Sequence, residues 1–145
     1  MMRVILAPLR ASAIALRNPD ALVVDYEGQC IRRGADRIVL GRGRKPTQLF
    51  RICVAMCCSV GRSIGREDLL DAMFGDDLYG GPLHAESVLA KNLTHTRPFR
   101  AWAGLTIKRS IAGRLDVSET TPRRHAHGPS FRISLHGVWP VGAAA

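Results

Sequence analysis

Two turn signals constrain this chain more than any other feature of its sequence. Glu27-Gly28 and Gly34-Ala35-Asp36 cut the segment Ala21–Leu40 into three short runs, Ala21–Tyr26, Cys30–Arg32 and Arg37–Leu40. Apolar residues alternate in the first run, and short runs joined by tight turns predict an antiparallel meander. The periodicity then changes. Phe50, Cys53, Met56, Cys57 and Val60 recur at helical spacing behind Pro46-Thr47, a suitable helix entry, and Gly61 ends the run. A second helix is expected from Arg66 to Phe74, capped by Gly65. Glu67 and Asp68 fall in its first turn, where the helix dipole favours negative charge, and Leu69, Leu70 and Met73 form its apolar stripe.

A third helix should begin near His84 or Ala85 and turn Val88, Leu89 and Leu93 inward. Pro98 lacks an amide donor and clashes with the preceding turn, so this helix should end or kink at Arg97. Leu105–Arg109 and Arg114–Val117 read as two strands around Ser110-Ile111-Ala112-Gly113, a hairpin with positive residues on both arms. The loop Gly41-Arg42-Gly43-Arg44-Lys45 reads as flexible and basic; it lacks the spacing of a phosphate-binding P-loop.

Charge is blocked rather than mixed. Arg37, Arg42, Arg44, Lys45, Arg51, Arg62 and Arg66 occupy a stretch without acids. Glu67, Asp68, Asp71, Asp76, Asp77 and Glu86 follow without a Lys or Arg, and then Lys91, Arg97, Arg100, Lys108, Arg109 and Arg114 again without an acid. With a net charge of +9 and a pI near 10.4, this arrangement suggests one face for a polyanion and another kept away from it. No apolar run approaches the roughly 18–20 residues that span a bilayer, so no membrane partner is expected.

Catalysis finds little support: H-E-x-x-H, G-x-S-x-G and Walker patterns are all missing, and Asp76-Asp77 has no neighbouring base to divide acid and base roles. No enzyme and no cofactor are therefore expected. Cys30, Cys53, Cys57 and Cys58 contain no C-x-x-C pair. They read as small buried hydrophobes in a reducing compartment, with a metal site shared with His84 or His95 as the alternative.

The stretch Gly61-Arg62-Ser63-Ile64-Gly65-Arg66-Glu67-Asp68-Leu69-Leu70-Asp71-Ala72-Met73-Phe74-Gly75-Asp76 resembles the output domain of OmpR/PhoB-type response regulators. In that family a glycine after the first helix leads through two apolar positions to R-E-x-L-L and W-G-D. Phe74 stands here in place of the tryptophan, and Gly65 where a serine or threonine usually caps. The resemblance covers roughly Ala21 to Val117 and implies an α+β winged helix-turn-helix: a three-helix core, an N-terminal antiparallel sheet and a C-terminal hairpin wing. It divides the chain into an N-terminal extension (1–20), the winged-helix domain (21–117) and a C-terminal tail (118–145). The extension, with Arg3, Arg10 and Arg17 and no acid before Asp20, is expected to add a strand or short helix rather than a targeting peptide. No receiver domain, and hence no phosphorelay control, is expected ahead of it.

The resemblance further implies a DNA-binding regulator of transcription. Its third helix would present Lys91, Asn92, Thr94, His95 and Arg97 to the major groove, with Arg100 beyond its end as a further DNA-binding candidate, and its wing would bring Lys108, Arg109 and Arg114 to phosphates or the minor groove. Asp76, Asp77 and Tyr79 fall in the loop that touches RNA polymerase in some relatives. The expected partner is double-stranded DNA, with RNA polymerase and a second copy of the chain as further candidates. The expected setting is the cytoplasm of a bacterial or phage-infected cell, at the nucleoid. Two other readings stay open: a winged-helix module for protein interaction within a larger complex, and a basic RNA-binding protein.

Overall fold

The computed structural model describes residues 2–75, 83–110, 112–123, 128–134 and 137–141. Its first strand, β1 (Val4–Ala7), lies ahead of the meander and runs parallel to β2 (Leu22–Asp25), with Val4 opposite Leu22 and Ala7 opposite Asp25. The parallel pairing needs a crossover, which the short helix α1 (Ala11–Arg17) supplies. Ala7, Ala11, Ala15 and Val23 form a small cluster between α1 and one face of the sheet. Side chains alternate along a strand, so Leu22 and Val24 point to the opposite face, into the main core.

β3 (Cys30–Arg33) and β4 (Asp36–Val39) complete the meander by antiparallel pairing, as the turn signals require. Asp25 builds the first turn: its Oδ1 accepts the Gly28 amide at 2.9 Å and its Oδ2 accepts Arg32 Nε at 2.9 Å. Burial alone would raise the Asp25 carboxyl. The Gly28 amide, the Arg32 guanidinium and the Cys30 thiol outweigh that cost and hold it below its ordinary value.

α2 (Gln48–Cys57) lays Phe50, Ile52, Cys53 and Met56 into the main core, and Thr47 caps it by accepting the Phe50 amide. β5 (Arg62–Ile64), α3 (Arg66–Phe74) and α4 (Ala85–His95) follow. α5 (Arg97–Ala103) then starts with Pro98 in its first turn. A proline harms a helix interior yet suits its first turn, where the missing amide has no partner to lose. Pro98 therefore opens a new helix as well as ending the previous one. Phe99 and Trp102 anchor α5, and Gly104 closes it in the left-handed conformation.

β6 (Leu105–Arg109) and β7 (Leu115–Glu119) form the hairpin, and β5 joins β7 to give a three-stranded sheet in the order β5-β7-β6. β8 (Phe131–Ser134) returns to pair parallel with β4, and β9 (Gly137–Pro140) pairs antiparallel with β8. Trp102 Nε1 donates to the Pro129 carbonyl at 2.9 Å and ties this return to α5.

The architecture is α+β. It departs from the expected arrangement in two respects. Five helices form among the described residues: beyond the three expected in the core, α1 lies in the N-terminal extension, and α5 forms because Phe99, Trp102 and Ala103 give the segment after Pro98 a buried face of its own. The larger sheet is mixed rather than antiparallel, in the order β1-β2-β3-β4-β8-β9, because strands from both ends of the chain add to the meander's edges in parallel. Among the described residues, no helix is long and apolar enough to cross a membrane.

Candidate nucleic-acid interface

A groove of about 280 Å³ separates α3 and α4 from the β6–β7 hairpin. Arg66 at the start of α3 and Arg109 and Arg114 on the hairpin line it, over a floor that includes Leu69, Leu89 and Leu93. Arg66 pairs with Glu86 on the first turn of α4, the one acid along the groove among the described residues. Strand register decides which hairpin cations reach it. Arg109 stands opposite Leu115, itself a groove residue, so both face inward. Lys108 stands opposite Asp116 on the other face of the hairpin, away from the groove.

Arg114 is held in place rather than free in solvent. Its Nε donates to Ser63 Oγ at 2.8 Å and its Nη2 to the Ser63 carbonyl at 3.2 Å. This arrangement accounts for Gly65 at the helix cap. A Cβ on Gly65 would sit 3.3 Å from Arg114 Nη1 and 3.3 Å from Asp68 Oδ2, tighter than most packed contacts.

α4 sorts the expected contact residues by helical phase. Lys91 and Thr94 are exposed, and Thr94 Oγ1 donates back to the Ala90 carbonyl. Asn92 is a correction. It is 5% exposed, and its Nδ2 donates to Gln48 Oε1 at 3.3 Å and to the Val88 carbonyl at 3.0 Å. The residue lies four positions after Val88 on the inward stripe, so it joins α4 to α2 and is withdrawn from the outward face. His95 and Arg97 line a separate cleft of about 260 Å³, together with Ile133 and Val138.

Arg100 is the second correction. Half-buried on α5, it donates through Nε to Thr96 Oγ1 at 3.0 Å. Burial lowers its pKa, the nearby charge of Arg97 lowers it further, and Cys53 opposes that shift. The break at Thr96 turns Arg100 toward the protein rather than along the line of α4. Asp76, Asp77 and Tyr79 lie outside the described residues.

The groove thus gathers Arg109 and Arg114 from the expected set, with Lys91 and Thr94 on the neighbouring outward face of α4. Sequence reasoning counted Arg66 in the first basic block and in the R-E-x-L-L motif but left it out of the expected contact residues. The signal was its position: the last base of a basic block, at the mouth of a helix whose next residues are acids.

The cysteines divide. Cys30, Cys53 and Cys57 are buried, whereas Cys58 is exposed because it lies just past the end of α2, off its apolar stripe. Burial pushes the Cys30 thiol up to about 12 and the Cys53 and Cys57 thiols well above their ordinary value. Among the described residues, no three His, Cys, Asp or Glu side chains gather as a metal ion would require. Compared with protein-family models, with curated proteins and with solved structures, the chain matches none.

Proposed function

We propose that this chain binds double-stranded DNA as a winged helix-turn-helix regulator of transcription, in the manner its OmpR/PhoB-like motif implies. The observation that carries this reading is the arginine-lined groove between α4 and the hairpin. With a helix in the major groove and a wing over the minor groove, one phosphate strand must pass between them. Arg66, Arg109 and Arg114 stand along that path, and Lys91 extends the cationic surface onto α4. The order α2, β5, α3, α4, β6, β7, with β5 paired to β7, supports the same docking, with α5 as an insertion between recognition helix and wing.

With Arg66 already paired to Glu86, the other three cations set the expected strength. Three neutralised phosphates give a slope of log K against log salt near −2.7, or roughly a 40-fold loss of affinity from 50 to 200 mM salt. Fluorescence anisotropy of a labelled duplex at these salt concentrations tests the reading. A folded chain without duplex affinity at 50 mM salt would overturn it.

One observation favours a second reading, a protein-interaction module. With Asn92 turned inward, the outward face of α4 offers Ser87, Ala90, Lys91 and Thr94, a set with a single cation. A protein-facing helix predicts weak and uniform polyanion binding, with no dependence on duplex sequence. Binding-site selection on random duplexes separates the two: an enriched motif supports base readout by α4, and no enrichment favours the module.

A further inference from the structure

A larger cleft lies away from the groove, where the start of α2 meets the β8–β9 edge of the large sheet. Its volume is about 730 Å³, within the range of sites for small organic ligands. The exposed Trp139 indole is its open apolar wall, the core residues Leu40, Leu49 and Ile133 reach only its floor, and two guanidinium-bearing residues, Arg42 and Arg132, join the lining, which contains no acid. Among the described residues neither arginine is ion-paired.

Both arginines sit on prepared supports. Arg132 on β8 stands directly opposite Trp139 on β9, so both side chains leave the same face of the sheet. The indole folds over Gly137, whose φ is 142°; a Cβ there would lie 3.1 Å from the ring. Arg42 belongs to the basic loop expected to be flexible, yet its backbone is clamped by a buried glutamine. Gln29, 3% exposed with φ at 48°, donates through Nε2 to the Gly43 carbonyl at 2.9 Å and to the Lys45 carbonyl at 3.2 Å. Its Oε1 accepts the Thr47 amide at 3.0 Å, and Thr47 Oγ1 donates to the Leu40 carbonyl at 2.9 Å. Gly41 lies so close that a Cβ would come within 2.3 Å of Gln29 Oε1 and 2.4 Å of Thr47 Oγ1. The clamp fixes the loop on both sides of Arg42, so the guanidinium is presented from an ordered backbone.

We propose that this cleft binds a small organic anion: an apolar body seated against Trp139 over a floor of Leu40, Leu49 and Ile133, ending in one anionic group held by Arg42 and Arg132. The two guanidiniums supply charge-assisted, fork-shaped donors, and the wall and floor supply desolvation for the body. Asn92, which joins α4 to α2, also borders the cleft, so an occupant would rest against the seat of α4. The proposal does not depend on the reading of the groove.

The test titrates the full chain with 8-anilino-1-naphthalenesulfonate, in parallel with N-phenyl-1-naphthylamine, which has the same aromatic body without the sulfonate. Expected is saturable 1:1 binding of the sulfonate with an emission blue shift, and at least about tenfold weaker binding of the neutral amine. Arg42→Gln and Arg132→Gln should each weaken the sulfonate by about tenfold with the circular dichroism spectrum unchanged. If either variant loses its native spectrum, competition on the unaltered chain decides instead: decanoate should displace the sulfonate and decanol should not. Absence of saturable binding to the folded chain, or equal affinity for the charged and neutral partners of either pair, overturns the proposal. Duplex affinity is measured separately, so a failure here leaves the reading of the groove standing, and the reverse.

Discussion

The two sides of α4 use arginine differently. On the hairpin side, Arg66, Arg109 and Arg114 line an open groove in which one of them is already paired with Glu86. On the other side, Arg42 and Arg132 join the lining of an apolar cleft that contains no acid, and a buried glutamine holds the loop that carries Arg42. Exposed cations along a groove act mainly through long-range, salt-screened attraction, which suits a repeating polyanion. Cations beside apolar walls act at short range in a drier setting, which suits a single small anion with a body to bury. The two surfaces therefore lead to different expectations from the same residue type, set by what lies beneath the guanidinium.

The most severe way to break this contrast is to remove the clamp. Gln29→Ala strips the support from the Gly43 and Lys45 carbonyls and from the Thr47 amide. It should cost about 3 kcal/mol of stability, read from urea unfolding, because buried backbone groups lose their partners. Anion binding in the cleft should fall with it, while duplex affinity of the folded fraction stays within twofold. An equal loss at both sites would mean that the two surfaces are not independent.

The groove can be broken in turn. Arg109→Ala with Arg114→Ala should weaken duplex binding by about thirtyfold at 100 mM salt and reduce the salt slope by about 1.8 units. Binding of the naphthalenesulfonate should not change. A slope that stays at its original value would remove these arginines from the phosphate path.

Acid should affect the cleft before the groove, because the Asp25 turn leads into Gln29. Its carboxyl is held below its ordinary value, so its stabilising contribution is complete above the unfolded-state value of about 3.9 and is lost as pH falls through the lower folded value. Asp25→Asn should cost about 1.5 kcal/mol at pH 6 and progressively less below pH 4, measured by unfolding at a series of pH values. A deficit that does not shrink in acid would assign the loss to geometry rather than charge.

The smallest effects distinguish neighbouring lysines. Lys91→Ala should weaken duplex binding about threefold, and Lys108→Ala hardly at all, since Lys108 stands on the hairpin face away from the groove. Reversal of that order, read by the same anisotropy titration, would place the duplex on the opposite face of the hairpin.

Local chemistry was legible in the sequence wherever neighbours along the chain decide the outcome. Glu27-Gly28 and Gly34-Ala35-Asp36 determined the meander, and the spacing of Phe50, Cys53 and Met56 determined α2, because turn geometry and helical phase are properties of a few consecutive residues. The hairpin with Lys108, Arg109 and Arg114 was legible for the same reason. Only the tertiary structure decided where those pieces meet. β8 pairs with β4 across more than ninety residues, with Ile38 opposite Phe131, and no local signal specifies a partner strand at that distance. The inward turn of Asn92 depended on Gln48 of α2 lying beside it. The clamp on the basic loop depended on Gln29, a polar residue next to a turn that reads in isolation as solvent-facing; what buried it was the arrival of Gly43, Lys45 and Thr47 around its amide. Sequence by itself determined which residues carry charge and located the meander, α2, α3, α4 and the hairpin, whereas β5 and α5 emerged only in the folded chain. Which arginine overlies a groove and which an apolar cleft was decided by the packing of distant segments, because burial is a property of the assembled surface and not of the residue.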